Sequence, residues 1–108
     1  MARIRPRVRV PGEAAAGDVV EIKTLINHPM ESGHRKDEDG NPIPRQIINR
    51  FEALFNGQEF FSVDLYPSVS SNPYISFFAK VDEAGEFTFR WHDDDGSVYE
   101  ETKGIALS

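Results

Sequence analysis

The sequence contains no cysteine. A disulfide framework, a thiolate metal site, a cysteine nucleophile and a covalent thiol carrier are therefore all excluded within these 108 residues. No run approaches the ~20 consecutive apolar residues of a membrane-spanning helix. The opening stretch MARIRPRVRV is basic but has no apolar segment of the kind a signal peptide needs. Positive charge is also in the minority: 12 Lys and Arg stand against 18 Asp and Glu, for a net charge of −6. That balance argues against nucleic acid or an anionic membrane as the main partner, because both require a basic surface. No nucleotide-binding or nucleophile-elbow signature occurs.

What is present is a set of short alternating runs punctuated by Gly, Pro, Asn and Asp. A chain this long can bury about 65% of its unfolded surface, enough for a single domain spanning residues 1–108. Residues 3–10 alternate Arg with Ile4, Pro6, Val8 and Val10, the period of a strand. Pro6 cannot donate to a ladder, so this strand belongs at a sheet edge. Arg3, Arg5, Arg7 and Arg9 then form a basic stripe. It is either an anion or partner site, or a solvated edge whose charge discourages strand addition.

Pro11-Gly12 and Gly17-Asp18 read as a turn or short loop. In DVVEIKTLIN (18–27), Val20, Ile22 and Ile26 face one way and Glu21 and Lys23 the other, as in a half-buried strand. The stretch from His28 to Pro44, HPMESGHRKDEDGNPIP, excludes a helix through Pro29, Gly33, Gly40, Pro42 and Pro44. Residues 45–55 fit both helical and strand spacing. Asn56-Gly57 favours the strand, because that pair suits a two-residue hairpin turn and an alternating run follows at once.

After a polar loop over 67–73, residues 74–81 place Ile75, Phe77, Ala79 and Val81 on one face. Residues 86–92 alternate most clearly, with Phe87, Phe89 and Trp91 against Glu86, Thr88, Arg90 and His92. Asp94-Asp95-Gly96 turns the chain into a final strand over 97–107. About seven short strands result, and the expected fold is an all-β, antiparallel, immunoglobulin-like β-sandwich. Phe61, Phe77, Phe87, Phe89 and Trp91 are expected in its core.

Chemistry is harder to find. His28 and His34 match no common zinc spacing. With Gly40 in the glycine position of a calcium loop, the first and last ligands would be Arg35 and Gln46; with Gly96 they would be Trp91 and Thr102. Both fail. The acidic runs at Asp93–Asp95 and Glu100–Glu101 read as solvated surface. No catalytic, cofactor-binding or metal-ligating residue is assigned, and the chain is not expected to be an enzyme. Pro29 and Met30, and likewise Tyr66 and Tyr74, are either contact points for a partner or anchors of their loops.

The run Ile26-Asn27-His28-Pro29-Met30-Glu31-Ser32-Gly33, followed by Arg35-Lys36-Asp37, Gly40 and Ile43-Pro44, resembles the SoxZ family. Asn56-Gly57, the run Ser71 to Phe77 and the Trp91 strand support the likeness, which extends from about Val8 to the end. Ser32 stands where that family's pattern has Thr, which keeps the hydroxyl. The resemblance implies an immunoglobulin-like sandwich that serves as the non-catalytic subunit of a thiosulfate-oxidation sulfur carrier. It also implies a stable heterodimer with SoxY, whose C-terminal Gly-Gly-Cys-Gly-Gly arm carries the sulfur intermediates, with transient docking to the other Sox enzymes. The implied compartment is the periplasm, reached by co-export with SoxY. No cofactor, nucleic acid or membrane partner is implied.

The expected partner surface comprises His28, Pro29, Met30 and Glu31 together with Asn72, Pro73 and Tyr74. The alternative is a stand-alone sandwich that binds a small ligand or metal through His28, His34 and the acidic turns.

Overall fold

Alternation of apolar and polar residues governs the architecture of this computed structural model, which describes residues 4–108. Eight strands form: β1 (Pro6–Arg9), β2 (Glu13–Ala14), β3 (Asp18–Ile26), β4 (Ile48–Phe55), β5 (Gln58–Asp64), β6 (Tyr74–Val81), β7 (Gly85–Asp93) and β8 (Val98–Leu107). They make two sheets, ordered β1-β3-β6 and β2-β8-β7-β4-β5. Every pairing is antiparallel except β2 with β8. The fold is therefore the expected all-β sandwich. Among the described residues no helix is long and apolar enough to cross a membrane.

Period-two burial sets which face of each strand turns inward. On β3, Val20, Ile22, Thr24 and Ile26 are buried; on β6, Phe77, Ala79 and Val81; on β7, Phe87, Phe89 and Trp91. Phe51 of β4 is central, with its ring 5.1 Å from Trp91 in its own sheet and 5.9 Å from Phe77 in the other. Phe61 of β5 stacks on Phe77 of β6 at 4.3 Å and so joins the two sheets along one flank. Burying an aromatic side chain of this kind contributes about 1.5–3 kcal/mol, so this cluster is the main source of cohesion between the sheets.

The region 45–55 is a strand, β4, from residue 48 onward. Asn56 and Gly57 both have positive φ, 50° and 82°, as the mirror-image hairpin turn between β4 and β5 requires. The β4–β5 register shifts between Ala53 and Leu54, a bulge that the regular alternation of 58–66 does not reveal. β1 lies at the edge of the three-stranded sheet, consistent with Pro6; Arg3, part of the expected basic stripe, lies outside the described residues. The two-residue β2 falls where a loop is expected. It pairs parallel with the end of β8, Glu13 opposite Ala106 and Ala14 opposite Leu107, and is too short to show a period.

Candidate functional site

The HPMESG stretch leaves β3 and is pinned at once. The His28 side chain is fully buried. The Met30 backbone N–H donates to His28 Nδ1 at 2.9 Å, so Nε2 carries the ring proton and donates to Asp93 Oδ2 at 2.8 Å. Asp93 is also buried, and the same oxygen accepts from the Tyr99 hydroxyl at 3.3 Å. Both ring nitrogens of His28 are thus committed inside the protein. A histidine so placed offers no lone pair to a metal and no exchangeable contact to a substrate.

Met30 takes a left-handed backbone conformation (φ 52°) that turns its side chain into the core. Its sulfur accepts the Ile48 N–H at 3.2 Å, where β4 begins. Glu31 and Gln46 then exchange backbone hydrogen bonds of 2.9 and 2.8 Å, closing the intervening segment into a long hairpin. Gly33 is required there. Its φ is +84°, and a Cβ would lie 2.9 Å from the Arg45 Cβ.

Opposite this hairpin sits the β7–β8 turn. Asp94 accepts two bonds from the Arg45 guanidinium (2.8 and 3.0 Å), one from the Ile47 N–H (3.1 Å) and one from the Asn49 amide (2.9 Å). The Arg45 guanidinium in particular holds the Asp94 carboxyl well below the usual carboxylate range. Asp95 accepts from the Gln46 side chain at 3.2 Å and from the Ser97 N–H at 2.8 Å. The expectation of a solvated acidic run therefore fails for Asp93 and Asp94. Each neutralises donors that the long hairpin would otherwise leave unpaired.

The seven residues expected to form a partner surface divide into two kinds. His28, Met30 and Pro73 are buried within this chain, and their packing accounts for them. Pro29, Asn72 and Tyr74 are exposed, and the Glu31 side chain is partly so, held by Arg35 at 2.6 Å. That ion pair lowers the Glu31 carboxyl below its ordinary value. The Asn72 N–H donates to the His28 carbonyl at 2.8 Å, so the two expected segments do meet. Met30→Asp, an obvious probe of that surface, would place a charge in this chain's own core.

The histidines do not converge. His28 is sealed against Asp93, His34 is exposed on the hairpin, and His92 hydrogen-bonds Glu52 on the outer face of the larger sheet. The His92 bond lowers the Glu52 carboxyl below its ordinary value. Among the described residues no group of three or more His, Cys, Asp or Glu is placed to hold a metal. What the region presents is a base fixed by buried hydrogen bonds, with exposed polar and aromatic groups on its rim. Sequence reading misses Asp93, Asp94 and Arg45 as anchors. The one available signal was that three successive aspartates exceed what a turn requires.

A family model described as "Sulphur oxidation protein SoxZ" matches residues 8–103. Comparison with curated proteins finds no sequence match. Among solved structures, superoxide reductase (neelaredoxin) from Ignicoccus hospitalis is similar at a TM-score of 0.77 and 17% identity, over 96% of this chain and 80% of that one. The sulfur carrier protein SoxY from Chlorobium limicola f thiosulfatophilum is similar at 0.67 and 11%, over 95% and 78%. A CARDB domain from Pyrococcus furiosus is similar at 0.56 and 8%, over 97% and 95%. At these identities the structural likenesses establish a shared sandwich fold and nothing more.

Proposed function

The chain belongs to the SoxZ family of sulphur oxidation proteins, and from that premise we propose that it is the non-catalytic subunit of a two-chain sulfur carrier in thiosulfate oxidation. The family match over residues 8–103 carries the reading. In it, the partner is SoxY, whose Cys-bearing arm holds the sulfur intermediates while this chain supplies the rigid body. The absence of cysteine fits that division, since the reactive thiol must belong to the partner. The sealed His28–Asp93 pair also fits, because it leaves the one buried histidine no access to a reacting group.

A carrier must meet several enzymes in turn and leave each of them. Such docking calls for small polar contacts, whereas the pairing of the two carrier chains calls for a larger and more apolar one. Pro29, Asn72 and Tyr74 are the exposed members of the proposed partner surface, and Glu31 is partly so. The proposed compartment is the periplasm, reached together with the partner.

Intact-mass analysis of the complex after turnover tests the reading. Sulfur adducts should appear on the Cys-tailed partner and none on this chain. Adducts distributed over both chains, or confined to this one, would overturn it.

A further inference from the structure

The outer face of the β1-β3-β6 sheet combines two features that the described function leaves unused. First, its arginines have no carboxylate partners. Arg35, Arg45, Arg50 and Arg90 each pair with an acid at 2.6–3.1 Å. Among the described residues, Arg5, Arg7 and Arg9 make no such pair, although acids outnumber bases in the chain. Instead, Arg9 stands opposite Lys23 in the β1–β3 register, a like-charge pairing that disfavours the sheet on its own.

Second, the same face carries two large, exposed aromatic side chains along β6, alternating with Ser76 and Lys80. Tyr74 and Phe78 are 58% and 67% exposed, and Val19 of β3 is 64% exposed. The register puts Tyr74 opposite Leu25 and Phe78 opposite Glu21, so these side chains share the face of Arg7 and Arg9. A recess of about 380 Å³ opens at one end, lined by Arg5, Arg7, Leu25, Asn27 and Asn72. Asn72 and Tyr74 already belong to the proposed partner surface, so the two regions are continuous.

We propose that this outer sheet face seats a protein partner whose docking surface carries carboxylates around an apolar patch. The proposal rests on the carrier reading above, in which that partner is the Cys-bearing subunit. Alternate residues of a strand lie roughly 6.8 Å apart, so Arg5 and Arg9 are separated by roughly 14 Å. That row is too long to converge on one small anion, and its spacing matches carboxylates on alternate residues of a strand. Unpaired Arg and exposed aromatics are the residue types that dominate interface energetics. A second copy laid face to face about a two-fold axis running across the strands would set one arginine row against the other.

The test is a titration of the full-length chain against the purified partner subunit at low and physiological salt. The double variant Arg7→Glu/Arg9→Glu and the single variant Phe78→Asp alter exposed side chains, and neither should lower the melting temperature; the double variant, which sets Glu opposite Lys23, should if anything raise it slightly. Each should weaken the complex roughly tenfold or more, and the double variant should also flatten the salt dependence. Thr102→Glu, on the larger sheet, should leave the affinity unchanged. If both face variants bind as wild type does, the face assignment fails and the carrier reading survives. If the wild-type chain forms no complex, the carrier reading fails and the proposal falls with it. Tighter binding to short duplex DNA than to the partner subunit would also overturn the proposal.

Discussion

His28 spends its side chain inside its own chain, where it is fully buried. Its imidazole joins the end of β3 to the β7–β8 turn through Asp93 and orients Met30 through a backbone N–H. In His28→Ala the Asp93 carboxylate would keep Tyr99 as its buried side-chain donor, and the Met30 N–H would lose its acceptor. Orphaning buried polar groups in this way costs on the order of 2–4 kcal/mol, against a typical total stability of about 5–15 kcal/mol. Urea unfolding should show a lowered midpoint of that size. Asp93→Asn keeps an acceptor for Nε2–H and should lose less than half as much.

Asp94 gives a pH signature. Its folded carboxyl titrates well below the usual range because of Arg45, so the unfolded chain binds the proton more readily. The associated stability is fully present above about pH 4, the ordinary aspartate range, and is lost as pH falls below it. Asp94→Asn should remove that part of the acid destabilisation, read as a shallower fall in unfolding free energy on acidification. Neither contact was legible in the sequence. His28 and Asp93 are 65 positions apart and Arg45 and Asp94 are 49 apart, and no local pattern encodes such a pairing.

At the scale of elements, the long hairpin from His28 to Ile47 and the tight turn at Asp93–Ser97 behave as one interlocked unit. At Gly33 the hairpin lies against its own returning limb, with no room for a Cβ beside Arg45. Gly33→Ala adds a left-handed backbone cost to a 2.9 Å approach to Arg45, together about 3 kcal/mol. Gly40 has the same φ of +84° with open space around its missing Cβ, so Gly40→Ala should cost only about 1 kcal/mol. Thermal melts of the two variants should separate clearly, and equal melting temperatures would mean that the close approach at Gly33 carries no weight.

Elements were legible where a local rule sufficed. Phe87, Phe89 and Trp91 announce β7 by alternation, and Asn56-Gly57 announces the hairpin by its backbone conformation. β2 has two residues and no period, and the bulge at Ala53–Leu54 is set by how β4 and β5 pack, so both escape a reading of the sequence.

On the scale of the whole molecule, the chain is a rigid sandwich with an acidic excess and one basic, aromatic sheet face. The sandwich could be read from strand count and turn spacing. Of the residues named for a partner surface, Asn72 and Tyr74 are exposed, whereas His28, Met30 and Pro73 are buried in this chain. Sequence pattern distinguishes inward from outward residues, but which outward face another chain covers depends on that chain. Tyr74→Ala probes the shared rim. It should weaken the pairing roughly tenfold while leaving the melting temperature of the isolated chain within a degree or so, on the order expected for a surface change.

The central claim is that this chain works as half of a stable pair. Native mass spectrometry of the chain co-expressed with its Cys-tailed SoxY partner tests it most directly. The account predicts a 1:1 heterodimer that survives dilution to nanomolar concentration. A spectrum with the two chains only as separate species at micromolar concentration would contradict it.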